Sequence, residues 1–282
     1  MDRRWLELRF ETAAEHAEIV YGLLSLSGLL ASTVEEPPRR VAICAYLPDT
    51  DEGRRKCQEV GERVSAQVPE SACATRSLAE ESWASAWKEH WRPTRVGRVV
   101  VCPTWLDFAP GADDLLIRLD PEMAFGTGAH ESTRLCLAAL QKIVKLGDRV
   151  LDLGCGTGVL AIAAVMLGAA EAVAVDNDPI AAQTTRRNAD RNGCGPSVLA
   201  LVGDACRSVR GPYDVAVANI DVSIVGRLVA EVAPLIPPGG HYVAGGLIAP
   251  QEEQVRAAFE GAFAVEEALR ENSWRCLIGR RL

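Results

Sequence analysis

The segment VLDLGCGTGVLAIAA, residues 150–164, interrupts an apolar run with Gly154, Gly156 and Gly158 and resumes with small apolar residues. A glycine turn between a strand and a helix lets backbone come close to a nucleotide-like ligand. The dinucleotide version of this turn needs its last glycine one position later, where Val159 stands. Asp152, at the carboxyl end of the preceding strand, would repel a pyrophosphate and attract a sulfonium or an amino group. Asp176, in AVAVDND at the next strand end, suits a pair of ribose hydroxyls. Asp204, in VGDA after the third strand, suits an adenine amino group. Together Asp152, Gly154, Gly156, Gly158, Asp176 and Asp204 predict binding of S-adenosylmethionine rather than a dinucleotide. Asp176 also fits as a helix N-cap ahead of Pro179, and it can do both. Cys155 has no base placed near it in the pattern, so a small turn residue is the simpler reading than a nucleophile.

Other chemistry is poorly supported. The nine cysteines are scattered with no Cys-x-x-Cys pair, and His16, His90, His130 and His241 lack metal-ligand spacing. Neither disulfides nor a metal site is expected. The net charge of −8 disfavours direct nucleic acid contact and fits a basic protein partner better. No apolar run approaches the ~18 residues of a membrane span. The opening MDRRWLELRFE lacks the apolar core of a secretory signal, so a cytoplasmic protein is expected.

These residues need elements to hold them. Residues 4–11 alternate as a half-buried strand, and Thr12 could cap a helix running to about Leu30, with Gly28 near its end. RRVAICAYL reads as a strand, DEGRRKCQEVGERVSAQV as a helix, and 73–78 as a short strand. That order predicts a small α+β domain of ferredoxin-like type over 1–78. Trp83, Trp87 and Trp91 recur every fourth residue, predicting a linker helix over 79–94 that Pro93 ends. From 95 to 282 strands and helices alternate, with strands at 149–153, 171–176, 197–202, 214–218 and 240–244. RVVVC and DLLIRL read as paired strands, and the C-terminus as a hairpin turning at Glu271 and Asn272. Alternation of this kind predicts an α/β fold with a mainly parallel sheet covered on both faces.

LDPEMAFGTGAHESTRLCL, residues 119–137, is a second glycine–threonine loop leading into a helix. This loop, its His-x-x-Thr continuation, WKEHWRP, the glycine turn, VANI after the fourth strand and the ending SWRCLIGRR resemble the ribosomal protein L11 methyltransferase (PrmA) family. The resemblance covers nearly the whole chain. It implies a Rossmann-like class I methyltransferase sheet with a terminal antiparallel hairpin, behind a substrate-recognition domain. It also implies methyl transfer to lysine side chains and the N-terminal amine of free ribosomal protein L11, up to trimethylation. By motif, the cofactor contacts fall on Thr133, Gly154, Asp176 and Asn219, and Phe125, Gly126 and Thr127 line the methyl-transfer end. Glu122, Met123, Ala129 and the DVSIV after Ile220 depart from the family pattern, on the substrate side more than the cofactor side.

Asn219, Thr127 and His130 are the candidate catalytic residues. An Asn after the fourth strand can offer its carbonyl oxygen to a target amine. NIDV is not the Asn-Pro-Pro-Tyr of enzymes that act on flat bases. Asp221 lies near, and also reads as the N-cap of the next helix. His130 could accept a proton or simply hydrogen-bond the loop. A monomer is expected. Competing readings are a lysine methyltransferase for another basic protein, a noncatalytic S-adenosylmethionine-binding adaptor, and a dinucleotide oxidoreductase.

Overall fold

The computed structural model describes residues 4–27, 29, 31–36, 40–79, 91–120, 126 and 128–282. The chain divides into two compact units, Met1–Trp91 and Arg92–Leu282. Trp83 and Trp87, with most of the expected linker helix, lie outside the described residues.

The first unit runs β1 (Arg4–Ala13), α1 (Ala17–Leu26), β2 (Ala31–Glu36), β3 (Arg40–Pro48), α2 (Asp51–Gln67), β4 (Ala72–Ala79). Its sheet has the order β2-β3-β1-β4 with every pair antiparallel, the ferredoxin-like arrangement expected. The alternation of β1 sends Leu6, Leu8 and Phe10 into a core with Val20 and Leu24 of α1 and Val60 and Val64 of α2. Thr12 is not a helix cap. It lies inside β1 opposite Val41, fully buried, because the strand extends to Ala13 before the chain turns. α1 ends at Leu26, short of the expected end, and Gly28 and Leu30 lie outside the described residues.

The second unit begins with a small sheet of β5 (Thr94–Val96), β6 (Val99–Pro103) and β7 (Leu115–Leu119). β6 and β7 pair as expected, and they do so in parallel. Then follow α3 (Glu131–Ile143), β8 (Arg149–Leu153), α4 (Val159–Met166), β9 (Glu171–Asp176), α5 (Pro179–Arg191), β10 (Val198–Val202) and β11 (Val215–Asn219). The unit closes with α6 (Val222–Val232), β12 (His241–Ile248), α7 (Glu252–Phe259), β13 (Phe263–Glu271) and β14 (Trp274–Arg281). The large sheet has the order β10-β9-β8-β11-β12-β14-β13. The five strands from edge strand β10 to β12 are parallel, and β14 inserts antiparallel between β12 and β13. The turn of that hairpin is Asn272–Ser273, one residue later than expected. Glu271 still pairs with Trp274, and Asn272 takes the positive φ (+50°).

Alternation along β8 divides the core. Leu151 and Leu153 join the cluster under α6 and α7, and Val150 joins the one under α3, α4 and α5. The chain winds outward from β8 to β10, then returns to place β11 on the other side of β8. The crevice at that reversal, at the carboxyl ends of the strands, is where ligands bind in such sheets.

Candidate active site

Four chain segments meet at the carboxyl ends of β8, β9 and β11. The first is the turn 154–158. Gly154, Gly156 and Gly158 all have positive φ (+75°, +53° and +81°), which L side chains rarely adopt. A Cβ on Gly154 would strike Ile220, and one on Gly158 would sit 2.7 Å from Thr185 Cγ2. Backbone amides of Gly154 and Cys155 donate to Val175 O at 2.8 and 3.1 Å, locking the turn to the end of β9. Gly158 is the N-cap of α4, and Val159 is buried in the first turn of that helix. The position where a dinucleotide fold brings backbone close is therefore filled by a side chain.

Asp176 receives Gly156 N at 2.9 Å and Asp178 N at 3.0 Å. It is not the helix cap. Asp178 caps α5 by accepting from Ile180 N at 2.8 Å. Asp204 is exposed beyond β10 and pairs with Arg207 at 3.2 Å. Asp221 is the N-cap of α6, with Ser223 N at 2.9 Å.

Asp152 is fully buried within β8. One carboxylate oxygen accepts from Ala161 N at 3.1 Å, and Oδ1 has no partner. Burial, and secondarily the Asp176 charge, push this carboxyl up to about 7 against the pull of the Ala161 amide. On the adjacent strand β11, Val217 sits beside Asp152, so Asn219 emerges on the same face two residues on. Asn219 is buried and donates from Nδ2 to Thr133 Oγ1 of α3 at 3.2 Å, while its Oδ1 also lacks a partner. Two buried oxygens without partners, one of them on a carboxyl that a nearby cation would ionise, suit a ligand end that carries N–H donors and positive charge. The group these residues fit is S-adenosylmethionine.

Of the second loop, Phe125 and Thr127 lie outside the described residues, and Gly126 (φ +102°) lies against the glycine turn. Thr157 Oγ1 donates to Gly126 O at 2.6 Å. At the loop's far end Arg134 binds Ala129 O and, at 3.0 and 2.5 Å, the Glu271 carboxylate of the terminal hairpin. His130 caps α3 through Nδ1, which accepts from Ser132 N at 3.3 Å, and its ring meets Trp274 edge-on at 4.5 Å. Burial lowers its pKa, so the ring is held neutral. Cys155 is buried, receives the Thr185 hydroxyl at 3.3 Å, and has its thiol pushed up by burial and by Asp152. That is the state of an inert thiol. The nine cysteines are all free.

Sequence reasoning missed Thr157, Asn188, Arg134 and Trp274. One signal was present for Asn188. In RRNADRN, Asn188, a poor helix former, sits in a helix interior with a second asparagine, Asn192, four residues on at the helix end.

A doubly wound sheet with an antiparallel terminal hairpin, and this loop with these carboxylates, define a class I S-adenosylmethionine-dependent methyltransferase. The family model for ribosomal protein L11 methyltransferase (PrmA) matches residues 4–282. The chain belongs to that family. Among relatives, the ribosomal protein L11 methyltransferase of Pelotomaculum thermopropionicum is 36% identical over 303 residues, covering 98% of each chain. That of Gloeobacter violaceus is 38% identical, covering 97% of this chain and 88% of its own. A crystal structure of ribosomal protein L11 methylase from Lactobacillus delbrueckii subsp. bulgaricus superposes with a TM-score of 0.64 at 28% identity, over 68% of this chain and 99% of that one.

Proposed function

We propose that this enzyme transfers methyl groups to amine nitrogens of free ribosomal protein L11, its lysine side chains and N-terminal amine, up to three per nitrogen. Bound at the glycine turn, S-adenosylmethionine supplies a methyl carbon activated by a positive sulfur. The protein's task is to align a neutral amine with that carbon. A free lysine amine, with a pKa of ~10.4, is almost wholly protonated at neutral pH. Desolvation in a site that also holds a cation lowers that value. The observation that carries the reading is Asn219. Its amide nitrogen is tied to Thr133, which leaves a buried carbonyl oxygen at the strand end for an N–H of the target amine.

Asp176 takes the ribose hydroxyls and Asp204 the adenine amino group. Asp152 and the turn Gly154, Gly156 and Gly158 face the cationic end. Gly126, with Phe125 and Thr127, lines the path of the methyl group. His130, neutral through burial, accepts the proton that the amine must shed. The first unit grips the substrate. No helix among the described residues is long and apolar enough to cross a membrane. The reading places the enzyme in the cytoplasm as a monomer without direct nucleic acid contact.

Incubation with labelled S-adenosylmethionine and a ribosomal protein extract tests this. Label on the L11 band is expected. Label confined to another basic protein would move the substrate. Tight cofactor binding with no label on any band would leave a binding adaptor.

A further inference from the structure

Asn188 in α5 and Asn192, the C-cap of that helix, lie one turn apart, and their side chains hydrogen-bond the free edge of β7 and the residue just past its end. Asn192 Oδ1 accepts Arg118 N at 2.7 Å, and its Nδ2 donates to Arg118 O at 2.8 Å. Asn188 Oδ1 accepts Asp120 N at 3.0 Å, and its Nδ2 donates to Asp120 O at 2.9 Å. The spacing explains the fit. Four residues of helix rise about 6 Å and two residues of strand about 6.6 Å, so two carboxamides stand in for a neighbouring strand.

Only one of the two asparagines reaches the glycine turn. Asn188 Nδ2 also donates to Thr157 O in the glycine turn, at 3.0 Å. Thr157 in turn holds Gly126 of the second loop through its hydroxyl. Asn188 is fully buried, and its Oδ1 accepts a further bond from Arg191 at 2.8 Å, so no bonding capacity is left over. It therefore bonds both the root of the second loop, at Asp120, and the cofactor turn, at Thr157.

We propose that Asn188 is a positioning residue for methyl transfer, setting the separation between the glycine turn and the second loop through the chain Asn188–Thr157–Gly126. Asn192 makes the same bonds to the same strand without reaching the turn, and serves only stability. The inference rests on the reading of the site as a methyl-transfer centre.

The pair supplies its own control. Full-length Asn188→Ala and Asn192→Ala are each measured for Tm, S-adenosylmethionine affinity, turnover on free L11 protein, and amide exchange at Gly126 and Gly128. Both are expected to lose Tm. Only Asn188→Ala is expected to lose turnover, by about tenfold to a hundredfold, since small misplacements of reacting groups have effects of that size. Its KM for L11 should stay within about twofold of wild type, because the change lies in alignment and not in substrate binding. Faster exchange at the two glycines should accompany that loss in Asn188→Ala alone. Equal turnover losses in the two variants, or wild-type turnover in Asn188→Ala, would overturn the proposal. If Asn188→Ala does not fold, Thr157→Val cuts the next link. It should show the same turnover loss, and full turnover there overturns the proposal as well. A wild-type enzyme that fails to label L11 refutes the substrate reading instead, and the exchange measurement still decides the positioning role.

Discussion

Asp152 makes the charge of the site measurable through stability. Burial pushes its carboxyl up to about 7, the reverse of the usual salt-bridged aspartate. Below about pH 4 the carboxyl is protonated in both the folded and the unfolded chain, and it adds no pH dependence. As pH rises further, the unfolded chain ionises while the folded chain holds its proton, so stability falls until about pH 7 and then levels. Raising the carboxyl from the ordinary aspartate range to about 7 makes the full penalty about 4 kcal/mol. Asp152→Asn removes the charge and keeps an acceptor for Ala161 N. Its new amide donor, at the place where Oδ1 has no partner, costs about 1–3 kcal/mol at every pH. The informative quantity is therefore the change with pH. The stability of Asp152→Asn relative to wild type should rise by about 3 kcal/mol between pH 4.5 and pH 8. Urea unfolding of both proteins across that range, without cofactor, reads it. Parallel stability curves would refute the reasoning, since they would mean a solvated or already compensated carboxylate. The same physics makes cofactor binding near pH 6 release a proton, seen as a binding enthalpy that depends on the ionisation heat of the buffer.

Asp176→Ala should weaken S-adenosylmethionine binding by about 1–3 kcal/mol in calorimetry, the scale of lost charge-assisted bonds, and unchanged affinity would remove it from the cofactor site. Asn219→Ala should lower turnover by about tenfold to a hundredfold with little change in the KM for L11, as expected for a group that orients the amine. Gly158→Ala should destabilise the protein by about 1–2 kcal/mol from the left-handed backbone alone, with more from the contact at Thr185, and an unshifted unfolding midpoint would contradict the geometry. His130→Asn keeps a cap acceptor for Ser132 N but removes the imidazole. It should lower turnover by about tenfold or more in a protein that still folds, and full activity at every pH would leave His130 as a helix cap only.

Much of the second unit is legible in sequence because its signals are local. β8 and β9 fall on 149–153 and 171–176 as read from their apolar runs, and the three turn glycines take the conformations that only glycine tolerates freely. Asp221 is a helix cap, one of the two readings its position allowed. Errors cluster where neighbouring signals compete. Thr12 has the chemistry of a cap, but pairing with Val41 keeps it in the strand. Asp176 precedes a helix-starting Pro179, but Asp178 takes the cap and leaves Asp176 to hold the glycine turn. No local pattern announces that β14 inserts beside β12, because strand order is set by which edge remains open when the chain returns.

By itself the sequence determined the kinds of element, the S-adenosylmethionine cofactor and the family, since these depend on residue type and spacing along the chain. The tertiary structure alone decided that Asp152 is sealed from water and holds its proton near neutrality, that Asn219 emerges beside it with one oxygen unpaired, and that Asn188 joins two loops far apart in sequence. Burial and hydrogen-bond partners are properties of what surrounds a group, and for these groups the surroundings come from residues many positions away.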